Sequence, residues 1–374
     1  LNEQITVLEE NEFIQEIQIS NLGREHTFRH ILIQESAYST LLYERRRAYH
    51  EQVAHALETL FPLQIGEQSG LLAHHYELAG NLTQAIAFHQ QTADQARLLY
   101  ANEEAAALYH KVLTLLTQLE EKTESGRSFT LQEQRAKTYL KIAQLHANRM
   151  EFTAAQTFFN QAFDLFESLK TRQARQHGRA THTPSPPLRW GILPEHIQQF
   201  DPALTNAVEN SEIIHNLFEG LVELDHNWVV IPAVAHSWTL SADGRTYTFH
   251  LRQDGRWSDG QPVTAHDFVF HPDTKAPLAY QLYPIHGAEP YHQGQTTQPE
   301  TIAVQAPDEW TLEVTLTHPN SFFLYVLSSP ITFPQPRHLW ETPPSLTTPL
   351  PLNRTIGNGA FQLDTPPPHP QPPL

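Results

Sequence analysis

Cysteine is missing from all 374 residues of the chain, and methionine occurs once. The first absence excludes disulfides, thiolate metal sites, thiol nucleophiles and a lipidated cysteine anchor. No run of about 18 apolar residues occurs, so no segment is long and apolar enough to span a membrane as a helix. The opening LNEQITVLEE lacks the basic start and apolar stretch of a secretion signal. Basic residues are scarce: 24 Lys and Arg stand against 41 Asp and Glu. The resulting net charge of −17 argues against nucleic acid or an anionic membrane as the main partner. Phosphate loops of the G-x-x-x-x-G-K-[ST] type and H-E-x-x-H pairs are missing too.

What is present falls into two halves. Residues 1–170 are poor in Gly and Pro and rich in Ala, Leu, Gln and Glu, which favour helix. Apolar residues recur at helical spacing, as in Val53, Leu57 and Leu60, and again in Phe158, Phe159, Ala162, Phe163 and Phe166. HHYELAGNLTQAIAFHQQTA at 74–93 and LHANRMEFTAAQTFFNQAFD at 145–164 align on Ala85 and Ala155. That separation is about two periods of a 34-residue helical repeat, and the pattern resembles tetratricopeptide repeats over 61–170. Residues 26–58 resemble the helical segment that follows the nucleotide-binding module of large signal-transduction ATPases, through Phe28, Arg29, His30, Ala37, Tyr38, Arg46 and His50 among others. Residues 1–60 are thus expected to be a helical segment whose ATPase module is not in this chain. Residues 171–187 are polar, basic and end in proline, which reads as an exposed linker.

From residue 188 onward Gly, Pro, Asp and Trp become common and short alternating runs appear between turns. LRWGIL is a candidate strand, and NSEIIHNLFEG offers Asn210 or Ser211 as helix cap with Gly220 as terminator. TYTFHLR and TLEVTLT alternate like strands buried on one face. In ADGRTYTFHLRQDGRWSDGQPVTAHDFVF, at 242–270, three Asp-Gly turns frame a strand, a Trp257 anchor and a helix start. Thr264 and Asp267 have the spacing of a capping box. The whole is multidomain: an all-α repeat-containing N-terminal half and an α+β C-terminal half.

That stretch resembles the signature of the family 5 extracellular solute-binding proteins, the oligopeptide- and dipeptide-binding components of ABC importers. Asp201-Pro202 with LFEGLVELD, IPAVAHSW, VQAPDEWTLEVTLTHPNSFF and IGNGAFQL follow in the family's order, so 188–363 reads as a partial family domain. The resemblance implies one lobe of a periplasmic-binding-protein type II fold that closes on an extended peptide and catalyses nothing. It places ligand contacts at Asn206, Ala207 and Val208, and near Leu278 or Tyr280, and it makes an ABC permease a partner. Trp238 and Trp257 read as core anchors.

Three departures from the family accompany the match. The family continues for about as much sequence again, whereas this chain runs into DTPPPHPQPPL, a tail (364–374) whose composition suits a frameshifted or truncated gene. Pro272 falls where the family continues a helix. The missing signal favours a cytoplasmic location. The 23 His include His26 and His30, four apart on an expected helix, and the adjacent His74 and His75; lacking a third ligand at useful spacing, they read as ordinary surface or core histidines. No cofactor, metal or enzymatic activity is expected. The leading reading is peptide binding by the partial domain, possible partner binding by the helical repeats being secondary. The alternative is a protein-interaction scaffold whose truncated domain binds nothing.

Overall fold

A computed structural model describes residues 2–20, 23–122, 128–176, 201–203, 208–269, 276, 278–339 and 356–362. The chain divides between Gly126 and Arg127 into two compact units. In the first, α1 (Asn2–Glu10) is followed by an antiparallel pair, β1 (Ile14–Ser20) and β2 (Gly23–Phe28), joined in register from Ile14 opposite Phe28. Helices α2 (Ile31–Thr40), α3 (Tyr43–Leu60), α4 (Ser69–Ala79), α5 (Leu82–Leu98) and α6 (Asn102–Lys122) complete it. The hairpin corrects the all-helical reading of residues 1–60. Its isoleucines, Ile14, Ile17 and Ile19, are β-branched, which suits a strand better than a helix. His26 therefore lies on β2, while His30 is the N-cap of α2 and its Nδ1 accepts from Leu32 N–H at 3.2 Å. The two do not share a helix face.

Alanines let α4, α5 and α6 approach closely: Ala73, Ala85, Ala93 and Ala105 are fully buried. Tyr76 stacks on Phe88 with centroids 5.6 Å apart. Gly80 ends α4 in the left-handed region at φ 75°, and Asn81 caps α5 through Gln84 N–H. Short turns of this kind make sequential helices antiparallel neighbours.

The second unit begins with α7 (Phe129–Asn148) and α8 (Phe152–Gln176), then α9 (Val208–Leu217). A short antiparallel pair follows, β3 (Val222–Leu224) with β4 (Val230–Pro232). The main sheet holds β5 (Ala235–Leu240), β6 (Thr246–Leu251), β7 (Val304–Asp308) and β8 (Thr311–Thr315) in the order β5-β6-β8-β7, all neighbours antiparallel. Two short helices, α10 (Ala288–His292) and α11 (Phe323–Val326), lie in the connections. Tyr247, Phe249 and Leu251 face the core from β6, as Leu312 and Val314 do from β8. Both alternations were legible as strands.

Trp238 and Trp257 are 0% and 2% exposed, which confirms them as core anchors. The capping box at Thr264 forms, but it opens a single 3-10 turn, Ala265–Asp267, rather than a helix. Asp267 is buried there and has two duties beyond its part in the box. Its Oδ2 accepts from Thr264 N–H at 2.8 Å and from Trp257 Nε1–H at 3.3 Å, and its Oδ1 accepts from Arg337 N–H at 3.0 Å. α9 begins at Val208, ahead of the expected cap at Asn210 or Ser211. Residues 171–176, expected as linker, continue α8. The strand expected at 188–193, Pro272 and the Pro-rich tail lie outside the described residues.

Helices α7 and α8 share one core with the sheet. The rings of Phe159 and Phe163 meet Trp238 edge-on, with centroids 5.4 and 4.6 Å away. On the same helix, Gln156 Nε2 donates to Trp238 C=O at 3.2 Å while its Oε1 accepts from Leu240 N–H at 2.7 Å. Lys137 pairs with Asp225 at 3.3 Å, and Tyr325 Oη donates to Gln144 at 3.2 Å.

Candidate functional site

In the C-terminal unit an open cleft of about 1120 Å³ lies between α8 and the segments flanking β4, β5 and β6. One wall is apolar and aromatic, from Phe163 and Phe166 of α8. The other is charged: Glu219, His236, Arg252 and Asp254, with Lys170 reaching across from α8. Local structure explains why these groups converge. Glu219 stands two residues past the end of α9, where the chain leaves the helix for β3. Its backbone is held by Asn358, whose Oδ1 accepts Glu219 N–H at 3.0 Å and whose Nδ2 donates to Glu219 C=O at 2.9 Å. The IGNG stretch can approach so closely because Gly357 has no side chain; a Cβ there would lie 2.1 Å from Leu217 C=O. Arg252 leaves the end of β6 with its N–H donated to Val234 C=O at 2.9 Å.

The charges are paired rather than free. Arg252 Nη2 donates to Glu219 Oε2, and Lys170 Nζ lies 3.1 Å from Asp254 Oδ2. Burial pushes the Glu219 carboxyl up to about 7, with the Arg252 guanidinium pulling the other way. Burial opposes ionisation of Asp254 as well, but the Lys170 ammonium outweighs it and holds that carboxyl below its usual range. His236 is held below the ordinary imidazole value by burial and by His250, whose ring lies 6.3 Å away. The arrangement offers donors, acceptors and an aromatic wall in a wet groove. It suits holding a polar, extended molecule.

Asn206 and Ala207 lie outside the described residues, and Val208 opens α9. Leu278 is half-buried against the core beside the 3-10 turn Ala279–Leu282, and Tyr280 on that turn is 57% exposed. Neither lines the cleft. Glu219, Arg252 and Asp254 were missed as site residues although they stand in the quoted motifs, because a lone acid or base inside a turn-rich motif carries no sign of a partner in sequence. Among the described residues, Glu9, Glu16 and His26 bring ligand atoms within 4.8 Å of one another.

Residues 229–369 match the family described as bacterial extracellular solute-binding proteins, family 5 middle. The dipeptide-binding protein DppE of Bacillus subtilis is 35% identical over 170 residues, 44% of this chain and 31% of the relative. The periplasmic oligopeptide-binding protein OppA of Escherichia coli is 37% identical over 183 residues, covering 45% and 32% respectively. Among solved structures, Haemophilus influenzae OppA in complex with RPPGFSPFR is 35% identical, covers 44% of this chain and 33% of that chain, and has a TM-score of 0.41. The C-terminal part of the chain is thus similar to family 5 solute-binding proteins, among them proteins named for dipeptide and oligopeptide binding. The chain spans about a third of the length of the curated relatives it matches. These matches overturn the cytoplasmic expectation, since the family is described as extracellular and the E. coli relative as periplasmic.

Proposed function

We propose that this protein binds an extended peptide or similar solute outside the cytoplasm, as a solute-receiving component of an ABC import system. The observation that carries the reading is the coincidence of sequence and geometry. The segments that match peptide-binding relatives are the ones that build the charged wall of the cleft, Arg252 and Asp254 lying inside the matched span. A paired carboxylate and guanidinium beside aromatic rings can exchange hydrogen bonds with a peptide main chain without selecting its side chains, the mode in which backbone pairing supplies affinity. Asn206, Ala207, Val208, Leu278 and Tyr280 are proposed as further contacts on the strength of the family resemblance.

For the N-terminal unit we propose a helical-repeat surface that holds a protein partner. Its helix pairs close through left-handed residues, Gly80 after α4 and Tyr100 after α5, and large apolar side chains such as Leu42, Tyr43 and Leu63 are exposed.

All six Trp lie beyond residue 189, so tryptophan fluorescence reports the C-terminal half alone. Titrating the full chain with tri- to pentapeptides should give a saturable change with Kd near or below about 10⁻⁴ M, a free energy of roughly −5.5 kcal/mol. Free amino acids should not compete. A folded chain that shows neither a fluorescence change nor calorimetric heat at millimolar peptide refutes peptide binding by this chain.

A further inference from the structure

Helices α3 and α4 of the N-terminal unit meet at a set of imidazoles that peptide binding does not use. His50 Nδ1 lies 2.9 Å from His75 Nδ1, and the ring centroids are 5.1 Å apart. That separation is close to the nitrogen distance plus two ring radii, so the two nitrogens point at one another. His50 Nε2 is in turn 2.9 Å from Tyr38 Oη on α2. Either tautomer of His50 satisfies both contacts, and in each one nitrogen of the Nδ1 pair carries a proton while the other offers a lone pair. His74, exposed on α4, brings a third ring within 5.7 Å of His75 and 6.4 Å of His50. Burial, and next the charge of the neighbouring imidazoles, hold His50 and His75 below the ordinary histidine value. Beyond Tyr38, the Arg46 guanidinium lies 5.2 Å from the tyrosine ring.

We propose that His50 and His75, with His74 beside them, form a two-imidazole site for an imidazole-preferring divalent cation, which ties α3 to α4. Moving the single shared proton to the other nitrogen of its own ring frees both Nδ1 lone pairs, so binding releases only water from the metal. Metal–imidazole bonds of about 2.0–2.1 Å across the observed gap subtend close to 90° at the metal. That angle belongs to tetragonal Cu(II) or Ni(II), whereas tetrahedral zinc needs the nitrogens spread to about 3.4 Å. The rings need only tilt until their lone pairs meet to one side of the line joining them. Tyr38 orients His50 from its other nitrogen, as outer partners of metal-bound histidines do.

The test is uptake of Ni²⁺ by the full chain, followed by calorimetry and by thermal melting. The wild type should take up one equivalent and melt higher with the metal present. His50→Ala and His75→Ala should each bind at least tenfold more weakly and lose the metal-dependent rise in Tm, His74→Ala less so. His226→Ala, and His26→Ala in the separate Glu9–Glu16–His26 cluster, should bind as the wild type. A His50→Asn, His75→Asn double variant with native circular dichroism and unchanged nickel uptake overturns the site. So does a loss that follows His26→Ala.

Discussion

Phe163→Ala tests whether the α7–α8 hairpin and the sheet are one cooperative body. Phe163 is 7% exposed, its ring lies 4.6 Å from Trp238, and it stacks on Phe159 at 6.0 Å. Truncating a buried Phe typically costs about 3–5 kcal/mol, as lost transfer energy plus the void left behind. Phe163 also lines the open cleft, so water can reach part of that void, and the lower end, about 3 kcal/mol, is expected. With a urea slope of about 2–3 kcal/mol per molar, the midpoint should fall by roughly 1 M.

The assay is urea unfolding read by tryptophan fluorescence, because every Trp follows residue 189 while the substitution lies on a helix that precedes them all. If α7 and α8 belonged to an independent helical domain ahead of a linker, the fluorescence transition would not move. An unshifted fluorescence midpoint, with the 222 nm circular dichroism signal destabilised, would refute the shared core. A shift of equal size by both probes for the C-terminal unit is the predicted outcome.

Two further predictions concern the same unit. Glu219 has a folded-state value of about 7, above the ordinary 4.5, so between those values the native state holds more protons than the unfolded one. Stability should therefore decline as pH rises from 4.5 to 7, by on the order of 2–3 kcal/mol at most, and level off above; Glu219→Gln should flatten that decline in urea midpoints taken at pH 5 and 8, and a slope that survives the substitution assigns it to another group. Gly244 has φ 70°, and a Cβ there would sit 2.2 Å from the ring of Phe152. Gly244→Ala should cost about 2–4 kcal/mol from strain and clash together. Adding Phe152→Ala should relieve the clash, so that the double variant is more stable than the sum of the two losses; strict additivity in thermal melts would contradict the contact.

The parts of this fold legible in sequence are those fixed by neighbours in the chain. Period-two alternation gave β6 and β8, the Thr264–Asp267 spacing gave a capping box, and the turn-and-strand setting of Trp238 and Trp257 gave core anchors. The β1–β2 hairpin was hidden because IQEIQIS is polar enough to pass for an exposed helix, and a bulge between Glu16 and Gln18 breaks its alternation. The end of α8 was hidden because TRQARQ has linker-like polarity yet good helix propensity, and propensity with a preceding helix to extend decides in its favour. The cleft was not legible at all. Arg252 and Glu219 lie 33 residues apart and become a pair only once the end of β6 is laid beside the end of α9.

The docking of α8 decides where a peptide could pair with the sheet. In the order β5-β6-β8-β7 the outer strands are β5 and β7. At β5 the outward C=O of Trp238 and N–H of Leu240 are the groups a neighbouring strand would take, and the Gln156 carboxamide takes both. Adding a peptide strand there would leave that amide unpaired and lift Phe159 and Phe163 from Trp238. Breaking one such buried hydrogen-bond pair alone costs about 1–3 kcal/mol per unsatisfied group, and exposing the rings adds more. Strand addition at β5 is thus closed by the chain's own helix. Two places remain within the described residues: the far side of β7, against which no strand is paired, and the cleft, where the same helix supplies Phe163, Phe166 and Lys170 as a wall. Only the cleft also presents the Glu219–Arg252 pair, so a ligand that recruits the hairpin rather than displacing it belongs there.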